Sequence, residues 1–290
     1  MLNDLSWSGV RRMVALPVLA EQHEGRLVEL PGRGRTFVTD LGPRDAPTLM
    51  LLHALACTAL LTWYPVLEEL SKHYRVVLPD LRWHGQGIRA PGSTLDDAAG
   101  DVVAVADALE IEKFVSVGYS MGSLVSQLAW RHHPERIAGL VLCATSSSFR
   151  RSNADRLAMR VADVALASTR RRATRLAALP PQARLPVEET YRWAMAEFRS
   201  TSALAVGQAV SAISNFDSSG WVGDIDVPTS MVITARDRVV YPGRQRWIAR
   251  QIYGSTSYEI PAGHAACVLE TDKFKPALLA ACASVAGRLG

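Results

Sequence analysis

The stretch Phe114–Trp130, FVSVGYSMGSLVSQLAW, admits few conformations. Phe114, Val115 and Val117 make an apolar, largely β-branched run that reads as a strand. Leu124–Trp130 reads as a helix. Ser120 lies between them, flanked by Gly118 and Gly122. A chain that turns from strand to helix in so few residues brings two backbones close together. Glycines two positions either side remove the side chains that would collide. Ser120 is therefore expected at the apex of a sharp strand-to-helix turn.

The same alternation runs through most of the chain. RLVEL (26–30) and RTFVTDLG (35–42) read as a hairpin joined by PGRG. Continuous apolar runs follow at 48–55, 74–80, 113–120 and 137–145, as buried parallel strands require. Helical stretches at 59–72, 95–110 and 121–133 lie between them, the second capped by Ser93 or Thr94. Residues 146–221 interrupt the pattern with helical segments, broken at Pro180-Pro181 and Pro186. The alternation resumes with a strand at 229–237, a helix at 243–253, a strand at 256–261 and a helix at 270–287. This order predicts an α/β fold, with a mostly parallel eight-stranded sheet, helices on both faces and a helical insertion.

The domain expectation is an N-terminal arm over 1–24, a core over 25–145 and 222–290, and a cap over 146–221. With 290 residues and 48% hydrophobic content the chain can bury a sizeable core. A net charge of +4 does not point to nucleic acid. No apolar run reaches the roughly 20 residues of a membrane span. Cys57, Cys143, Cys267 and Cys282 lie far apart, without metal or redox spacing, which favours buried thiols and a cytoplasmic location. Arg11-Arg12 before MVALPVLA superficially resembles a secretory leader, but the run carries a proline and lacks a convincing cleavage site.

Reactive groups in an open parallel sheet gather at the carboxyl ends of the strands. His53, Ser120, Asp237 and His264 fall there. A serine hydroxyl needs a neighbouring base to become a nucleophile, and the base needs an orienting acid. The chain order Ser120, Asp237, His264 suits a serine on such a turn. Asp224 and Asp226 precede their strand and would sit at its wrong end. No histidine–carboxylate cluster suggests a metal.

Five segments together resemble the α/β-hydrolase fold family over nearly all of residues 25–288. GYSMG (118–122) resembles its Gly-x-Ser-x-Gly elbow, and HALACTALLTW (53–63) its histidine-led segment after the third strand. DLRWHGQG (80–87), ARDRVV (235–240) and AGH (262–264) resemble three further family segments. Two positions depart from the pattern: Ala54 and Trp83 stand where the family usually has glycine. The resemblance implies a cofactor-free serine hydrolase that cleaves a carboxylic ester through an acyl-enzyme. Ser120 would be the nucleophile, His264 the base and Asp237 its orienting acid. Backbone N–H groups of Met121 and, by resemblance, Leu55 would meet the oxyanion. His53 would order the oxyanion loop, and Asp80, Arg82 and His84 would brace loops. Thioester, lactone and carbon–carbon bond hydrolysis, or cofactor-free perhydrolysis, are chemistries of the same fold. A non-catalytic binding protein is the reading from outside enzymology.

The resemblance implies a small acyl ester as the partner. Residues 146–221 carry eleven arginines against six acids, an excess of +5. A solvated helix surface accounts for that charge; an anionic substrate, carrier or lipid surface would also suit it. Trp193, Met195, Phe198, Leu204, Val206 and Val210 are candidates for an apolar acyl pocket.

Overall fold

The computed structural model describes residues 24–90, 94–149 and 181–289. Eight strands form one sheet: β1 (Arg26–Leu30), β2 (Gly34–Leu41), β3 (Thr48–Leu52), β4 (Arg75–Pro79), β5 (Phe114–Tyr119), β6 (Ile137–Cys143), β7 (Thr229–Thr234) and β8 (Thr256–Ile260). Their order is β1-β2-β4-β3-β5-β6-β7-β8. β2 runs antiparallel to both β1 and β4, and the remaining neighbours pair in parallel.

The apolar runs are shared between two cores, residue by residue. Successive side chains of a strand point to opposite faces. Leu49, Leu51, Val76, Leu78, Val115, Val117, Val141 and Val232 therefore pack on one face. Met50, Leu52, Val77, Phe114, Leu140, Leu142, Met231 and Ile233 pack on the other. The first face is covered by α1 (Ala59–Leu70) and α8 (Thr271–Ala286), and the second by α2 (Leu95–Ala108), α3 (Met121–His132) and α6 (Pro242–Gln251). Edge strand β8 alternates instead, because only one of its faces is covered for most of its length.

The chain between β6 and β7 contributes α4 (Pro181–Arg199) and α5 (Ala203–Ser214). Its two ends meet in a neck, where Ser148 bridges Asp217 and Ser218 N–H donates to Ser147 O at 2.7 Å. Helix α4 runs through Pro186 where the sequence reading had a break. A proline forfeits a single N–H, and here that loss falls in the second turn, so the following turns continue. The expected closing helix is α8 (Thr271–Ala286), preceded by a short helix α7 (Ala266–Leu269) that the sequence pattern does not mark. The expected N-terminal arm, apart from Glu24, and residues 150–180 of the expected cap lie outside the described residues.

Trp83 has φ 72°, a left-handed conformation that costs an L-residue about 1–2 kcal/mol. Its indole is buried in the core, and burial of so large a ring outweighs that strain. Ala54 does not adopt positive φ, so alanine fits there without backbone strain.

Candidate active site

The turn at Ser120 is built as its glycines require. A Cβ at Gly118 would lie 2.4 Å from Ser123 Cα and N. One at Gly122 would lie 2.1 Å from Leu52 O. Close approach of backbone, rather than positive φ, excludes side chains at both. The strained conformation falls on Ser120 itself, with φ 52° and ψ −111°. Ser120 occupies the N-cap position of α3, where a serine hydroxyl ordinarily bonds the first-turn N–H groups. It makes no such bond here. Ser123 secures the turn from below: its hydroxyl lies 2.7 Å from Gly118 O and 3.0 Å from Cys143 O.

The freed Ser120 hydroxyl meets His264 instead, with Oγ 3.0 Å from Nε2. On the other side of the ring, His264 Nδ1–H donates to Asp237 Oδ2 at 2.7 Å. The second carboxylate oxygen accepts from the N–H groups of Val239 (2.8 Å) and Val240 (2.9 Å). Thr234 Oγ1 donates to Oδ2 at 2.8 Å. These bonds aim the carboxylate at the imidazole and assign the ring proton to Nδ1, leaving Nε2 to accept from Ser120. Burial alone pushes the Asp237 carboxyl up. The facing imidazole and the donated hydrogen bonds outweigh it and hold the group below the ordinary carboxylate value. Asp237 is fully enclosed, whereas the His264 side chain is 12% exposed.

The sheet brings these loops together. Beyond the last β7–β8 pairs, Ala235 and Arg236 N–H donate to Ile260 O and Ala262 O, which carries Asp237 alongside His264. Asp224 and Asp226 lie elsewhere, near Arg131 and Trp130 respectively.

Leu55 follows β3 and Met121 opens α3. β3 and β5 are neighbours, and Leu52 pairs with Gly118, so the two segments leave the sheet side by side. Leu55 sits in a turn closed by Cys57 N–H donating to Ala54 O. Neither the Leu55 nor the Met121 N–H bonds an acceptor among the described residues. His53 is fully buried. Its Nδ1–H donates to Ala54 O (2.8 Å), and its Nε2 accepts from Leu81 N–H (2.8 Å). Its ring therefore ties the turn after β3 to the loop after β4. In that loop Asp80 accepts from Ala59 and Gln86 N–H, each at 2.9 Å. Arg82 grips Asp101 at 2.5 and 2.8 Å.

Two contacts escaped the sequence reading. Tyr119 Oη donates to His264 O at 2.7 Å, and Glu270 Oε2 accepts from Gly263 N–H at 2.7 Å. Both hold the histidine loop. Tyr119 stands at the variable position of the Gly-x-Ser-x-Gly motif, so nothing local marks it out.

The acyl-pocket candidates separate. Phe198, Val206 and Val210 are partly buried against the core, and Trp193 packs edge-on against Tyr64 at 5.0 Å. Leu204 is 75% exposed; it lies two residues past the N-cap of α5, on the outer side of the helix. Cys143, Cys267 and Cys282 are buried and Cys57 half-buried. Among the described residues no cluster of His, Cys, Asp and Glu could hold a metal ion, and no helix is long and apolar enough to cross a membrane.

The sheet order and the Ser–His–Asp arrangement define a class. Residues 47–271 match the model of the alpha/beta hydrolase fold, and the chain belongs to that family. It is 27% identical over 250 residues to a pimeloyl-[acyl-carrier protein] methyl ester esterase of Chromobacterium violaceum, covering 83% of this chain and 96% of that protein. It is 37% identical over 95 residues to 3-oxoadipate enol-lactonase 1 of Acinetobacter baylyi, covering 32% of this chain but only 35% of the lactonase. Among solved structures, a hydrolase from Pseudomonas aeruginosa superimposes with a TM-score of 0.72 at 26% identity, covering 90% of this chain and 99% of that one.

Proposed function

We propose that this chain is a serine hydrolase that cleaves a carboxylic ester through an acyl-enzyme, without a cofactor. The observation that carries the proposal is the continuous relay from Ser120 Oγ through His264 to Asp237. His264 Nε2 takes the hydroxyl proton as Ser120 Oγ bonds to the ester carbonyl carbon. Asp237 stabilises the resulting imidazolium. The oxygen of the tetrahedral intermediate gains negative charge opposite the Met121 and Leu55 N–H groups, and loss of one such donor typically costs about 10²–10³ in turnover. His264 then protonates the departing alkoxide. A water molecule, deprotonated by the same ring, releases the acid and restores Ser120.

A fluorophosphonate probe tests the reading. It is expected to label the wild type and to leave Ser120→Ala unlabelled. A folded wild type that takes no label makes this a binding protein. Hydrolysis rates across p-nitrophenyl esters of increasing chain length then give the acyl preference.

A second reading concerns the substrate. The relative aligned over most of the chain is named for an ester on an acyl-carrier protein, and residues 146–221 carry the +5 excess. An ester attached to an acidic carrier suits both facts. Its kcat/KM is expected to fall as salt rises; an unchanged value leaves the small ester as substrate.

A further inference from the structure

The turn that holds the Leu55 N–H is strained. Ala56 has φ 62°, a conformation an L-residue keeps only where its surroundings over-determine it. Those surroundings can be traced. The front of the turn is held by His53, whose Nδ1–H bonds Ala54 O. The rear is held through Thr58, the N-cap of α1. Thr58 Oγ1 accepts from Leu61 N–H at 3.1 Å, and Thr58 O accepts from Thr62 Oγ1 at 3.1 Å. Ala59 N–H is fixed by Asp80.

One anchor comes from outside the core. Thr58 Oγ1 donates to Glu197 Oε2 at 2.5 Å, across 139 residues of sequence. Glu197 lies in the last turns of α4 and is half-buried. Around it α4 packs on the start of α1, with Tyr191 and Ala194 buried against Leu61 and with Cys57 and Val268 at the margin. Two neighbouring contacts also join this end of α4 to the core, but they reach a different loop. Gly85 N–H donates to Thr201 Oγ1 at 3.1 Å, and Arg89 donates to Ser200 O at 3.3 Å. Of these three, the Glu197 contact alone reaches the segment that carries Leu55. It also lies at the positive end of the α1 dipole, where a carboxylate is favoured.

We propose that Glu197 is a positioning residue for the oxyanion site: docking of α4 through the Glu197–Thr58 hydrogen bond holds the Ala54–Cys57 turn in the conformation that presents the Leu55 N–H. The inference rests on the hydrolase reading above. On it, docking of α4 bears on the chemical step itself. It completes the group that stabilises the transition state, so turnover and cap docking are coupled. Burial pushes the Glu197 carboxyl above its ordinary value, the Thr58 bond opposes that rise and the nearby Asp80 charge adds to it.

The test compares variants with p-nitrophenyl acetate as substrate. Glu197→Ala is expected to lower kcat up to about tenfold, the worth of one hydrogen bond, while KM changes less than about twofold. Glu197→Gln, which keeps an acceptor at the same reach, is expected to restore kcat to within about threefold of wild type. Glu197→Asp withdraws the carboxylate by one methylene and is expected to behave like the alanine variant, which covers the case in which Glu197→Ala fails to fold. Thr201→Val removes a neighbouring cap contact and is expected to leave kcat within about twofold. Wild-type kcat in Glu197→Ala or Glu197→Asp overturns the proposal. So does a Glu197→Gln no better than Glu197→Ala, or a Thr201→Val as slow as either. Fluorophosphonate labelling separates the two readings. A wild type that labels, with unaffected Glu197 variants, removes only the positioning role; a wild type that neither labels nor turns over removes both.

Discussion

His264 and His53 both follow a strand of the same sheet, and both bond through each ring nitrogen. Their partners differ. His264 spans the Asp237 carboxylate and the Ser120 hydroxyl, groups between which a proton can move. His53 spans a backbone carbonyl and a backbone N–H, neither of which changes protonation in the working range of a protein. Burial pushes the His53 ring down to about 4, against the opposing pull of the Ala54 carbonyl. Its neighbour His84, whose ring lies 5.0 Å away, is pushed down to about 3, by burial first and by His53 second. An imidazole thus becomes a relay or a strut according to what its two nitrogens meet.

The largest expected difference between the two is in turnover. His264→Gln should cost about 10⁴-fold or more in kcat on a p-nitrophenyl ester with thermal stability retained, because on the proposed mechanism the serine would lose its base. A variant that keeps a tenth of wild-type activity would break the comparison.

Acid should act through the two buried rings, His53 and His84. The folded values of His53 and His84 lie below the ordinary 6.5, so the unfolded chain takes up protons first as pH falls. Stability is therefore full above about pH 6.5 and declines from there, through about 4 for His53 and about 3 for His84. Each ring contributes a slope of about 1.4 kcal/mol per pH unit within its window. Urea midpoints measured from pH 7 to pH 4 should fall accordingly, and a flat series would remove the two rings as the cause.

Substituting the strut itself has a smaller effect. His53→Gln leaves backbone groups at Ala54 and Leu81 imperfectly paired and should cost about 1–3 kcal/mol of stability, read as a lowered urea midpoint. Its loss in kcat should remain far below that of His264→Gln. Smallest is Tyr119→Phe, which removes the hydrogen bond to the His264 carbonyl while keeping the buried ring. It should cost about 0.5–1.5 kcal/mol, seen as a kcat reduction of up to about tenfold with little change in KM. Equal effects on kcat and KM would show that Tyr119 holds more than the histidine loop.

Much of the molecule could be read before its shape was known. The eight strands, the insertion after the sixth and the strand-to-helix turn all appear as runs of contiguous residues. Each of the three proposed relay members stands at a strand end that the pattern marks. What escaped the reading has a common character. Pro186 lies inside a helix because a missing N–H near the start of a helix is a local loss that later turns outweigh. Trp83 takes a left-handed conformation because core burial, a tertiary quantity, compensates for it. Tyr119 reaches His264 across 145 residues, and Glu197 reaches Thr58 across 139.

From the amino-acid order alone came the two-residue rhythm that fills both faces of the sheet and the glycines that let Ser120 turn, since each depends on the backbone geometry of adjacent residues. Only the folded chain decided which nitrogen of His264 faces the serine, that His53 is closed off by backbone, and that a carboxylate from the inserted helices reaches Thr58. Those outcomes depend on strand order and on the paths of converging loops, and distances between such loops are written in no single segment.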